Sequence, residues 1–407
     1  MSNRSSSVVG AIMAFMIISV PVTRVLALGF RNPDQGAAAT AQGNAFVAQA
    51  DDATAIYYNP AGITQIQGTE IANGGDLIFP DSRLKDGPPG TEMTKRSLIP
   101  FLYGTTDFGI FGVHDSPWRF GIGVNVPFGN EAVYNQNGPF RYLLTSANLQ
   151  VINIQPTVAF KFNDHFSLGA GLNIYDVNTE LNSHIPVSPS LDGRFHFDGN
   201  GLAEGATAGL LWKITPQHSI GIAYHSPFTV NYVGHADVNI PGVIQQHSDA
   251  TASMPFPQTI AGGYAFRPIP QWKLEADIEW TNWQPLRQLT LNAPGSQADG
   301  RSVPFYWMDS FLYEFGTQYD LNKHWKLRAG YIFSENSVPG STYSPSVPDA
   351  DRHVFSVGFG FNTGRFFLDA LYQYTIAADR TVNNGTAADG TWLINNNAVM
   401  STMGMKF

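Results

Sequence analysis

Four ionisable residues occupy alternate positions of one short stretch: Lys273, Glu275, Asp277 and Glu279, interleaved with Leu274, Ala276, Ile278 and Trp280. In an extended chain successive side chains point to opposite faces, so the charges share one face and the apolar residues the other. Lys326 and Arg328 repeat the arrangement opposite Trp325, Leu327 and Ala329, with Glu314 and Gln318 on the polar face of the intervening stretch. Two kinds of chemistry fit these groups. They can form an internal ion-pair network that holds another piece of chain in place. Alternatively one cation, Lys326, Arg328 or Arg352, receives the carboxylate of an amphiphilic ligand. Catalysis has no comparable signal: there is no Gly-x-Ser-x-Gly elbow, no phosphate loop and no His-Glu-x-x-His pair. The ten histidines are scattered, with His165, His218 and His324 at turns, and Asp51-Asp52 reads as a helix-end or hydrogen-bonded acidic pair before it reads as a cation site. No enzyme, metal site or cofactor is therefore expected.

The elements that carry these groups are strands. In Trp118 to Val126 every even position is large and apolar and every odd one is Gly, Asn or Arg; in 167–174 and 355–362 apolar residues likewise alternate with Ser, Gly or Asn. About fourteen such stretches are predicted, near 69–79, 96–105, 118–127, 148–162, 165–180, 200–213, 218–231, 256–266, 271–284, 309–320, 323–333, 352–363, 365–376 and 396–407. Tight turns such as Asn163-Asp164 and Leu321-Asn322 alternate with long Pro-, Gly-, Ser- and Asn-rich loops near 127–147, 181–199, 232–255, 285–308, 334–351 and 377–395. The link at 105–117 is longer than this pattern expects. An even strand number with alternating short and long connections is the pattern of an outer-membrane barrel, all-β and antiparallel. A charge on the lipid face near the midplane costs about 2–4 kcal/mol for Arg or Lys, so the charged faces line the interior.

Composition agrees. The 407 residues include 40 glycines, 13 % aromatics and only 14 % charged residues, against about a quarter in an average soluble domain. No apolar run after the N-terminus approaches the roughly 20 residues of a spanning helix. A net charge of −9 without a basic cluster argues against nucleic acid, and the absence of cysteine rules out a disulfide framework. Residues 1–27 read as a signal peptide, with Arg4, an apolar core from Val8 to Val22 and a small-residue exit at Val25-Leu26-Ala27. Residues 28–66 do not alternate; Ala-rich and glycine-punctuated, they predict short helices and turns that are too small to fold alone and that plug a barrel formed by 67–407. Pro60 forces Asn59 out of the helical region, which ends any helix there. Pro127 follows a well-patterned strand: either the strand ends, or it kinks and parts from its neighbour. The closing strand ends on Phe407, similar to the assembly signal of outer-membrane proteins.

The mature start Leu28-Gly29-Phe30, the run Gln49-Ala50-Asp51-Asp52-Ala53, the turn Asn59-Pro60-Ala61, Ala276 to Trp283, Leu327 to Tyr331 and Val347 to His353 resemble the outer-membrane long-chain fatty acid transporter family (FadL), which includes the TodX-type aromatic-hydrocarbon transporters. The resemblance spans the mature chain. It implies a fourteen-stranded barrel with an N-terminal hatch, capture of an apolar ligand among extracellular loops, a pocket beside the hatch N-terminus, and sideways exit at a kinked third strand. Gly29 and Phe30 then fall at the pocket, Asn59, Pro60 and Ala61 at the hatch base, and Val126, Pro127, Phe128 and Gly129 in the kink. Apolar loop residues, Phe140, Tyr142, Leu143 and Leu144 in one loop and Ile240, Val243, Ile244, Met254 and Phe256 in another, are candidates for capture.

The expectation is a bacterial outer-membrane passive transporter of hydrophobic small molecules, long-chain fatty acids first and aromatic or alkane hydrocarbons second. A general porin for polar solutes is the alternative. Its neighbours are membrane lipid and lipopolysaccharide, and a monomer suffices.

Overall fold

The structure, a computed structural model, describes residues 29–93, 95–109, 112 and 116–407. The stretch read as a signal peptide, and part of the 105–117 link, lie outside the described residues.

Alternation becomes a closed wall. The first strands are β1 (Thr69–Leu84), β2 (Ser97–Thr106), β3 (Trp118–Val133) and β4 (Ser146–Lys161). They continue through β5 (Phe166–Ser188), β6 (Leu191–Thr215), β7 (His218–His225), β8 (Phe228–Ile240), β9 (Ile244–Phe256), β10 (Thr259–Ile269) and β11 (Trp272–Thr281). A small hairpin, β12 (Gln288–Thr290) with β13 (Ser302–Pro304), forms a separate sheet bridged to β9 through Asn292 and Thr251. The circuit is completed by β14 (Ser310–Asp320), β15 (Trp325–Ser334), β16 (Arg352–Asn362), β17 (Phe366–Ala377), the short β18 (Arg380–Val382) and β19 (Gly390–Lys406). Neighbours pair antiparallel, and β19 returns to β1 with Glu70 opposite Lys406 and Leu84 opposite Trp392. Among the described residues the circuit closes on itself, with one parting of neighbours between β2 and β3.

Two staves are each built from two strands. Pro227 separates β7 from β8, and Pro257 separates β9 from β10, because proline brings no ladder donor. Below these breaks β7 pairs with β6 and β10; above them β8 pairs with β6 and β9. Counted this way the described residues form a fourteen-stave antiparallel barrel. The strands run further than the alternation near the midplane indicated. Segments 181–199 and 232–255, expected as loops, are the β5–β6 and β8–β9 hairpins standing above the membrane band. Their inward positions Phe195, Phe197, Val230 and Tyr232 are buried and give the extended backbone a core to pack against. Outward-facing Leu172, Leu202, Ile222, Phe315 and Val357 stay exposed, as a lipid-facing band requires.

Residues 29–66 fill the interior. They form two single-turn helices, α1 (Ala37–Thr40) and α2 (Ala55–Tyr58), then a 3-10 helix over Pro60–Gln65. Their small side chains let backbone meet wall, and the wall reciprocates with glycine. A Cβ at Gly169 or Gly209 would strike Pro60, one at Gly221 would strike Val47, and one at Gly330 would strike Gly43. The hatch is thus seated on a glycine floor with almost no room to shift.

Candidate functional site

The charged ladder on β11 points at the hatch, as its parity required. Asp277 Oδ2 accepts the Phe46 and Val47 N–H groups, both at 2.9 Å, and Glu275 Oε1 accepts those of Ala48 (2.6 Å) and Gln49 (3.2 Å). Glu279 takes the Arg31 guanidinium, and Lys273 takes Asp51. The network that holds a second piece of chain is the role these four residues play. Asn59, Pro60 and Ala61 form the seat. Asn59 Oδ1 caps the 3-10 helix by accepting Ala61 N–H at 3.1 Å, while its Nδ2 donates to the Val47 carbonyl (2.7 Å) and, across to the wall, to that of Leu210 (2.9 Å).

At Pro127 the third strand parts from its neighbour. Pairing of β2 with β3 stops at Leu102–Val124, and the β3–β4 register slips between Asn125 and Phe128. The backbone groups released there are taken up from inside the barrel. Asn32 N–H donates to the Pro127 carbonyl and Gly129 N–H to the Phe30 carbonyl, both at 2.7 Å. Asn32 Nδ2 and Gln35 Nε2 both donate to the Val126 carbonyl. Residues 30–32 therefore act as a short substitute strand beside the kink.

The same residues anchor a ring cluster. The buried Phe30 ring lies 4.9 Å from Trp307, 5.0 Å from Trp283, 5.5 Å from Phe256 and 6.5 Å from Phe128, centroid to centroid. Phe228 and Tyr175 extend the stack. Gly29 has φ +63°, and a Cβ there would run into Trp307 and Trp283, so glycine is the residue this turn admits. Beside Phe30 lies a cavity of about 80 Å³ bounded by residues such as Leu149, Phe197, Met254 and Val347. The Trp283 indole N–H is buried with no acceptor among the described residues.

The candidate cations are divided between two ends. Arg352 lies on the cluster side, paired to Asp349 at 2.8 Å, and the other Asp349 oxygen accepts Ser337 N–H (2.9 Å) and Gly29 N–H (3.4 Å). Arg328 is on the opposite side of the hatch, paired to Asp369 at 2.5 Å and bonded to Gln318. Lys326 shares a cavity there with Asp51, Asp52 and Glu70. The apolar loop residues point mainly inward: Phe140, Leu144, Met254 and Phe256 are buried, while Val243 stays exposed. Trp283, Trp307 and Asp349 were not singled out as site residues by spacing, although Trp283 and Asp349 lie in stretches that carried the resemblance.

Comparison with known proteins places this geometry. A family model described as outer membrane protein transport protein (OMPP1/FadL/TodX) matches residues 18–407. The chain belongs to this family. Its FadL/TodX relatives include the long-chain fatty acid transport protein of Escherichia coli K12, 23 % identical over 384 residues, covering 83 % of this chain and 84 % of that one. Among solved structures, a Pseudomonas aeruginosa FadL homologue matches with TM-score 0.82 at 20 % identity, covering 93 % of this chain and all of the other. The Pseudomonas putida toluene transporter TodX matches with TM-score 0.74 at 16 % identity, covering 93 % and 99 %. Membership of the FadL/TodX family makes this an outer-membrane transport protein and not an enzyme.

Proposed function

We propose that the protein takes up hydrophobic small molecules, long-chain fatty acids foremost. Ligand enters among the extracellular loops, settles in the ring cluster at Phe30, and leaves sideways where β3 parts from β2. One observation carries this reading: residues 29–32 do two jobs at once. The Phe30 ring fills the cluster while the backbone of residues 30 and 32 satisfies the kinked strand. A ligand that displaces the ring also withdraws those hydrogen bonds, so occupancy and wall opening are coupled. The apolar route is physically economical, because each Å² of ligand surface kept from water is worth about 25 cal/mol. The Trp283 N–H, without an acceptor among the described residues, offers a donor within the ring cluster suited to a carboxylate oxygen.

Two observations favour a second reading, uptake of aromatic hydrocarbons. Arg352 already has Asp349 as its counter-charge, and a cavity of about 80 Å³ suits a single ring better than an extended chain. Displacement of a fluorescent fatty-acid probe from the full barrel in nanodiscs, with oleate and toluene as competitors, separates the two. Displacement by oleate supports the fatty acid reading, and by toluene alone the hydrocarbon reading; absence of binding to a folded barrel returns the choice to a porin. Gly129→Arg should block uptake while binding persists, and unimpaired uptake in this variant would exclude the sideways route.

A further inference from the structure

On the side of the tight turns, beneath the hatch, lies a cavity of about 300 Å³. Hatch residues Ala48, Gln49 and Asp51 roof it, and His165, Lys213, Arg267 and Lys273 stand around it. A second cavity of about 200 Å³ shares Asp164, His165 and Lys213 with the first and adds Arg119 and Lys161. In a chain of net charge −9 this corner is basic: five Lys or Arg residues face two carboxylates. Both carboxylates are engaged, Asp51 by Lys273 and Asp164 by Lys161 at 2.6 Å. Arg119 is satisfied by the carbonyls of Ile66 and Ser116. Lys213, half-buried, and Arg267 have no ion pair and no side-chain hydrogen bond among the described residues.

Lys213 and Arg267 bring like charges to one recess and repel each other, while the two carboxylates there, Asp51 and Asp164, are already paired to Lys273 and Lys161. A small anion resolves that conflict. We propose that this recess binds a carboxylate or phosphate group presented from the periplasm, held by Lys213 and Arg267. Lys273 borders the same space, so the anion contends with Asp51 for it. Occupancy then loosens the ion pair that fastens the 46–51 turn of the hatch to β11.

The test is a titration of the full barrel in nanodiscs made from uncharged lipid, following inorganic phosphate by phosphorus NMR line width and repeating with acetate as competitor. Saturable binding is expected. Lys213→Gln with Arg267→Gln should weaken it at least about tenfold, since both facing charges are gone. Asp51→Asn should tighten it several-fold by removing the internal competitor, a response that a merely basic surface would not give. Heat-modifiable migration on gels verifies that each variant is folded. Competition by acetate supports a site that reads either anion, and resistance to acetate supports one specific for phosphate. Absence of saturable binding in the folded wild type, or binding unchanged in the double variant, overturns the proposal. The titration requires no transport, so its outcome stands apart from the uptake reading.

Discussion

At the scale of single residues, the site separates groups that hold the hatch from groups free to meet a ligand. Trp283 belongs to the second kind, because its ring packs on Phe30 while its N–H has no acceptor among the described residues. Trp283→Phe keeps the ring and deletes the donor. Oleate affinity should fall about tenfold, the worth of one hydrogen bond to a charged group, while toluene affinity stays level; equal losses for both ligands in the displacement assay would reduce Trp283 to a packing residue. What could be read at this scale from the chain alone was parity. It put Lys273, Glu275, Asp277 and Glu279 on the inner face, because a two-residue period needs no knowledge of neighbours. It could not divide Lys326 and Arg328 from Arg352, because height along the barrel depends on the stagger between strands. Nor could it show that Arg352 already has a partner three residues away in Asp349.

At the scale of elements, hatch and wall are fitted by subtraction of side chains. Gly169→Val places two methyl groups where the backbone of Pro60 and Ala61 now lies. The barrel should still assemble, while the hatch becomes sensitive to protease and to hydrogen exchange over residues 55–66. The hatch also carries a proton-linked group. Burial, followed by the nearby Glu70 carboxylate, raises Asp52 from 3.8 to about 7, against the opposing hydrogen bonds from Thr54. The docked hatch therefore holds a proton that the undocked chain releases, so docking weakens as pH rises from about 4 to about 7 and is level above that. Asp52→Asn should flatten this slope in hydrogen-exchange protection of residues 46–58; a slope unchanged in the variant would point to another group. The staves near the midplane were legible because lipid on one side and hatch on the other enforce alternation. The upper halves of β5, β6, β8 and β9 were not, since above the membrane their outer faces carry Asn, His, Asp and Glu, a composition shared with loops.

For the whole molecule, the distinction between a plugged barrel and an open pore rests on the ladder of β11. Combining Glu275→Ala and Asp277→Ala with Glu279→Gln removes the acceptors for four hatch N–H groups and the charged partner of Arg31. Ion conductance in planar bilayers should appear in that variant and be near zero in the wild type; a freely conducting wild type would favour the porin alternative. The overall architecture was legible because fourteen staves, tight turns and a terminal Phe407 are each local signals, whereas the grip of one segment on the kink of β3 is a contact between residues about a hundred positions apart. The hatch also touches both strands that close the circle. Ala53 N–H donates to Glu70 on β1, and Ala37 N–H donates to Thr402 on β19. Those two strands come from opposite ends of the chain, so their pairing closes the longest loop of the circuit. A segment seated across that seam buttresses it from inside, and its glycine-tight fit ties the integrity of the closure to the seating of the hatch.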